Sequence, residues 1–266
     1  MPNTSSDGLG ARFAAWRSSH HKALVPYITA GYPTAQHTLD LMHSCARAGA
    51  DVIELGVPFS DPVADGPTIQ RASQIALEHN TTLEWVLETL SAFRATSDTA
   101  VVIFSYLNPV FSYGWQDFID DAVAAGAQGV LLTDLPVGGD EQLESAVKQS
   151  PLDLIRLIAP TTTGDRVGEI ARAAQGFLYY IARMGVTGAR SSLPEDLDQQ
   201  LASLRRLTDL PVCVGFGIST AEQAQSVARS ADGVVIGSAL IDALDAGGTP
   251  QAESLLSAMR AAIDKI

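Results

Sequence analysis

The stretch Ala100-Val101-Val102-Ile103-Phe104-Ser105-Tyr106 is almost wholly apolar, rich in β-branched residues, and shows no polar–apolar alternation. A strand with one wet face alternates, whereas a strand covered on both faces of a parallel sheet reads as a continuous hydrophobic run. The same kind of run recurs outward in both directions. Leu24–Thr29 and Asp51–Leu55 precede it, and Gly129–Thr133, Leu154–Ala159, Phe177–Ile181, Pro211–Gly215 and Gly233–Ile236 follow. The segments between them have helical period. Leu39, Met42 and Ala46 share one face, as do Leu83, Val86, Leu87 and Leu90, and Leu255, Met259, Ala262 and Ile263. Asp140 stands as an N-cap with Leu143 and Val147 turned inward, and Thr220-Ala221-Glu222-Gln223 reads as a capping box. Eight strands each followed by a helix, with no Pro/Ser-rich linker, predict an α/β protein: one (β/α)8 TIM barrel domain over residues 1–266. Periodicity counts strands but does not show closure, so an open doubly wound sheet is the alternative. Leu9–Ser18 is expected as an extra N-terminal helix lidding the barrel floor, after a flexible tail at 1–8.

The length of 266 residues suits one such barrel and supplies a core that needs no disulfide or metal staple. Hydrophobic residues at 46% and charged residues at 18% point to a packed globule. A net charge of −13 argues against nucleic acid or an anionic membrane as partner, and any phosphate ligand must be held by a local pocket against that field. Cys45 and Cys213 stand alone, in no metal or redox spacing, and read as small buried hydrophobes of a reducing compartment. Residues Met1 to Asp7 carry neither the apolar core of a signal peptide nor an Arg-rich transit pattern, and no apolar run approaches the roughly 20 residues of a membrane span. A cytoplasmic protein is expected.

In a barrel the loops leaving the strand C-terminal ends build the active site. Glu54 closes the second run, and the long loop from Gly56 to Pro67 returns with Asp65; its three prolines stiffen it. Two carboxylates at one mouth in different surroundings can divide acid and base work. The plainer alternative makes Glu54 an ion-paired strand cap and Asp65 a turn former. Glycines recur after the last two strands, in Gly215-Phe216-Gly217-Ile218-Ser219-Thr220 and Gly237-Ser238-Ala239-Leu240. Glycine lets backbone amides approach an anion, and a helix starting near Ser238 would aim its positive end at a phosphate; simple helix-entry turns are the alternative. Arg183 to Ser192, with glycines at 185 and 188, has the composition of a mobile lid or of an ordinary crossover. Tyr27, Phe104, Tyr106, Tyr179 and Phe216 fall near strand ends and suit a slot for a flat apolar ligand, or core packing. The histidines (20, 21, 37, 43 and 79) all miss the strand mouths, so no metal or catalytic role falls to them.

Three stretches, Pro26–Pro33, Ile53–Gln70 and Arg183–Gly188, resemble the tryptophan synthase alpha family, the middle one with high specificity. Asn108 and Asp134-Leu135-Pro136 fit as well, so the resemblance runs from about Ala23 to Leu240. It implies a lyase that cleaves indole-3-glycerol phosphate by retro-aldol chemistry into indole and glyceraldehyde 3-phosphate, late in L-tryptophan biosynthesis. It implies Glu54 and Asp65 as the catalytic pair, Tyr179 as a pocket tyrosine, and Thr187 as a lid threonine that bonds the aspartate. Gly188, Gly217, Gly237 and Ser238 match phosphate-binding positions, and Tyr27, Phe104 and Phe216 the lining of the indole pocket. Asp61, Pro62, Asn108 and Pro136 fall where the family meets a beta subunit. No metal or organic cofactor is implied for this chain; PLP is expected in the beta partner, within an alpha2-beta2 heterotetramer. Two positions depart from the pattern: Tyr27 stands where many members have Phe, and Met184 fills a lid position expected to be small. Other readings are a different phosphate-handling barrel enzyme of the same pathway, a free-standing lyase, and a non-catalytic partner that regulates a beta chain. The reaction itself requires indole C3 to be protonated. Asp65 would hold the indole N–H while Glu54 acts first as acid and then as base, which calls for a Glu54 pKa lifted by an apolar setting.

Overall fold

The computed structural model describes residues 8–182, 196–215 and 217–266. Its eight strands are β1 (Ala23–Thr29), β2 (Val52–Gly56), β3 (Ala100–Ser105), β4 (Gly129–Leu132), β5 (Asp153–Ile158), β6 (Leu178–Ile181), β7 (Val212–Gly215) and β8 (Gly233–Ile236). Each lies parallel to the next, and β8 pairs back onto β1 with Pro26 opposite Ile236, so the sheet is a closed barrel. Closure removes the open doubly wound sheet from consideration.

Alternate strand residues fill two layers. Val25, Val52, Val102, Leu131, Ile155 and Val235 point into the barrel, whereas Leu24, Ile53, Leu55, Ile103, Val214 and Val234 meet the surrounding helices. Burial on both faces is what makes each strand a continuous hydrophobic run. Strand ends sit within a residue or two of the expected ones. Tyr106 leaves the sheet and becomes the N-cap of a short helix, α5 in chain order (Leu107–Tyr113).

The first helix, α1 (Leu9–Ser18), closes the floor as expected. Its Leu9 and Phe13 are wholly buried against the inner layer, Phe13 lying 5.4 Å from the Phe177 ring. The Leu9 amide donates to Asp153 Oδ2 at 3.0 Å, and Arg17 forks onto Asp232 through Nε and Nη2 at 3.0 and 2.9 Å. Of the expected tail, residues 1–7 lie outside the described residues, and Gly8 is already the N-cap of α1.

On α2 (Ala35–Arg47) the buried face is Thr38, Leu41, Met42 and Cys45, with Leu39 and Ala46 on its flank. The helix is wedged among β1, the helix Leu83–Arg94 (α4) and the last helix, so its covered sector is broader than a single stripe. Asp140 caps α7 (Glu141–Gln149) by accepting from the Leu143 amide, and Thr220 with Gln223 forms a full capping box on α10 (Ala221–Ser230). The last helix, α11 (Ser238–Ile263), is broken at Gly247-Gly248, where Gly248 has φ +67°. No helix of the described residues is long and apolar enough to cross a membrane.

Candidate active site

Glu54 lies on the inward face of β2, register partner of Tyr27 on β1 and of Val102 on β3. It is 0% exposed, and neither carboxylate oxygen finds a hydrogen-bond partner among the described residues. Burial alone pushes its pKa up to about 8. Among the described residues it makes no ion pair, unlike the strand cap considered as the alternative. A buried carboxyl with no partner among the described residues is costly to the fold, which marks Glu54 as a candidate functional group.

Asp65 arrives from the loop between β2 and α3 (Pro67–Glu78) and is 7% exposed. Its backbone makes the turn, with the amide donating to Pro62 O at 3.0 Å and the carbonyl accepting from Gln70 Nε2 at 2.9 Å. Its side chain is held separately: the Tyr106 hydroxyl donates to Asp65 Oδ2 at 3.0 Å and accepts from the Ala64 amide at 3.0 Å. Burial raises the Asp65 pKa to about 6, and the Tyr106 bond pulls against that rise. Sequence reasoning placed Tyr106 only among the aromatics and missed its grip on the loop. The one available signal was a tyrosine, rather than a phenylalanine, at the mouth end of a buried strand, since a buried hydroxyl needs a partner.

The two carboxyl groups share one neighbourhood. Burial first, and then the charges of both Glu54 and Asp65, lift the pKa of Tyr27 and of Tyr179. Tyr27 meets Phe104 edge to face at 5.1 Å. The tips of the two tyrosines occupy space that only glycine leaves open. A Cβ on Gly56 would fall 2.3 Å from Tyr27 Oη, and one on Gly215 would fall 2.2 Å from Tyr179 Oη. Tyr27, Phe104 and Tyr179 thus converge with the acids at the barrel mouth.

Gly217 has φ +84° with open space where a Cβ would stand, and Gly237 is the N-cap of α11, whose first residue is the exposed Ser238. Both the Leu240 and Ile241 amides bond Gly237 O, leaving the amides before them as the free donors of a first helical turn. Phe216, Thr187, Gly188, Met184 and the rest of the expected lid lie outside the described residues. At the rim, Asp61, Asn108 and Pro136 are exposed and Pro62 is half-buried. Large apolar side chains flank them, Val63 at 81% and Phe111 at 45% exposure. A buried pair, Arg156 Nη2 to Glu144 Oε2 at 2.7 Å, holds the loop bearing Pro136, through Leu135 O and the Gly138 amide.

A closed (β/α)8 barrel with two environment-tuned carboxyl groups and an aromatic wall at its C-terminal mouth defines an acid–base barrel enzyme. The family model described as tryptophan synthase alpha chain matches residues 13–264. The tryptophan synthase alpha chain of Laribacter hongkongensis is 46% identical over 260 residues, covering 96% of this chain and 98% of that one. That of Citrifermentans bemidjiense is 48% identical over 233 residues, covering 88% and 87%. Among solved structures, tryptophan synthase subunit alpha from Legionella pneumophila superposes with a TM-score of 0.89 at 39% identity, covering 97% of this chain and 98% of that one. The chain belongs to the tryptophan synthase alpha chain family, and with it to a lyase family whose reaction is the cleavage of indole-3-glycerol phosphate to indole and glyceraldehyde 3-phosphate.

Proposed function

We propose that Glu54 and Asp65 divide the acid–base work of that cleavage in this chain. The observation that carries this reading is the wholly buried Glu54 carboxyl, without a partner among the described residues and with a pKa near 8, in one neighbourhood with the partly ionisable Asp65 with a pKa near 6. Near neutral pH the first is largely protonated and the second largely ionised, which is the division the chemistry requires. Glu54 delivers its proton to indole C3. The ring nitrogen then carries positive charge, and the Asp65 carboxylate stabilises its N–H. Glu54, now anionic, takes the proton of the hydroxyl next to the breaking bond. The C–C bond cleaves, its electron pair returns to the indole ring, and the aldehyde leaves with Glu54 protonated again. Tyr27, Phe104, Tyr179 and Phe216 line the indole slot. Gly188, Gly217, Gly237 and Ser238 hold the phosphate by backbone amides and fix the substrate's far end, with Thr187 closing over Asp65.

Glu54→Gln keeps the shape but cannot exchange the proton. Turnover of indole-3-glycerol phosphate is expected to fall by about 10²–10⁴-fold with substrate affinity largely kept. Equal cleavage rates for variant and parent would remove Glu54 from the mechanism.

The family partners a beta chain. We read the rim residues Asp61, Pro62, Asn108 and Pro136 as this chain's contact with it, in an alpha2-beta2 assembly in the cytoplasm, and residues 1–266 as one domain. The exposed apolar Val63 and Phe111 on the same segments support that surface. Phe111→Asp is expected to weaken co-purification with a beta chain while leaving cleavage by the isolated chain intact. Undiminished capture would place the contact elsewhere.

A further inference from the structure

The barrel floor carries a second concavity, at the end opposite Glu54. It is a cleft of about 330 Å³ lined by Arg17, His20, His21, Lys22, Arg205, Thr208, Asp209 and Asp232. All of these lie on α1 or on the connections that enter β1, β7 and β8. Three permanent cations face two carboxylates here, in a chain whose net charge is −13. The local excess of positive charge therefore runs against the field of the whole molecule.

The donors are unevenly committed. Arg17 commits four of its five N–H groups, two to Asp232 and one each to the carbonyls of Asp209 and Leu210, at 2.6 and 3.2 Å. Asp232 is used up as well, since its Oδ2 also accepts the Val212 amide at 2.9 Å. Lys22 Nζ spends one proton on Ala231 O at 2.7 Å, and its other two find no partner among the described residues. Among the described residues Arg205 reaches only an already occupied Asp232 oxygen, at 3.6 Å. His20, held in a left-handed conformation at φ 59°, offers an imidazole with no hydrogen bond among the described residues. His21 is committed to Asp51 at 2.7 Å.

We infer that this floor cleft is a second ligand site, which takes a small oxyanion, phosphate or a phosphate monoester, on Lys22 and Arg205 with His20 at its edge. Two cationic side chains with free N–H groups around a concavity of this size form a point-charge and fork combination suited to phosphate oxygens. Arg17 and Asp232 form the rigid wall behind them. Burial holds the Lys22 pKa below its usual value; Asp232 pulls it back up, and Arg205 and Arg17 add smaller downward pushes. Asp209 is the one lining carboxylate without an ion pair among the described residues, and it opposes an incoming anion.

The test is an amide ¹H–¹⁵N NMR titration of the full chain with inorganic phosphate, against chloride at equal ionic strength. It reads floor and mouth separately. Saturable shifts are expected at His20 to Lys22 and around Arg205 and Asp209. The double variant Lys22→Met/Arg205→Met should weaken that response at least about tenfold, since it removes the charge-assisted hydrogen bonds to the anion. The Ser238 amide at the mouth and the cleavage rate should be unchanged in it. Arg205→Met alone, at an exposed position, covers the case of a double variant that does not fold, and Asp209→Asn should tighten binding. Floor amides that do not shift, shift without saturating, or respond identically in the variants would overturn the site.

Discussion

Glu54 puts an acidic group into an apolar wall, so its two protonation states contribute unequally to folding. Its folded pKa near 8 lies above the unfolded value of 4.5. The native state keeps a proton that the unfolded chain has lost across that interval. The stabilisation is complete below pH 4.5, declines as pH rises, and is gone above about 8. Asp65 acts in the same direction over a narrower range, from 3.8 to about 6. Urea melts of Glu54→Gln and parent should therefore diverge as pH rises from 5 to 9, the variant gaining relative stability. A difference that stays constant with pH would mean the carboxyl is not buried as described. With the proposed roles of Glu54 and Asp65, the same two values shape the activity profile. kcat/KM should rise with the ionisation of Asp65 near pH 6 and fall with that of Glu54 near pH 8, giving a bell.

At the level of elements, the segment that matters is the connection from β2 to α3, and its hold is a residue on another strand's exit. Tyr106→Phe deletes the bond that lowers the Asp65 pKa and the acceptor of the Ala64 amide. Stability should drop by about 0.5–1.5 kcal/mol, and the acid limb of kcat/KM should move to higher pH. A shift the other way would show that Tyr106 does not tune Asp65. This cross-strand tie marks where the sequence stopped being legible. The strands could be read because burial on two faces leaves a one-dimensional trace, and Asp140 and Thr220 because a cap is local. Glu54 and Asp65 stood out through a long, proline-stiffened loop. That Tyr106 lies against Asp65, 41 residues away, is a product of the β2–β3 register and leaves no local mark. Nor does a lone Gly56 or Gly215 reveal that it seats a tyrosine tip from a neighbouring strand. The buried face of α2 drifted from the expected stripe for the same reason, because neighbouring helices decide which sector is covered.

Over the whole molecule, the closed barrel leaves one end open for chemistry and seals the other with α1. Phe13, 1% exposed and tilted against the Phe177 ring, is the stopper. Phe13→Ala should cost about 3–5 kcal/mol in a denaturant melt while leaving the mouth residues in place and turnover per folded molecule close to that of the parent. Equal losses in stability and in turnover per folded molecule would couple the two ends.

That stopper also has a history within each molecule. The partners of Leu9 and Arg17 are Asp153 and Asp232, 144 and 215 residues further along, and β1 finds its second neighbour only in β8. During synthesis α1 therefore leaves the ribosome long before its dock exists. It waits as an undocked tether, with Leu9 and Phe13 uncovered, that chaperones or proteases can reach. Ribosome-bound chains halted before residue 232 should expose Leu9–Ser18 to cleavage, and chains released with β8 complete should hide it in one step.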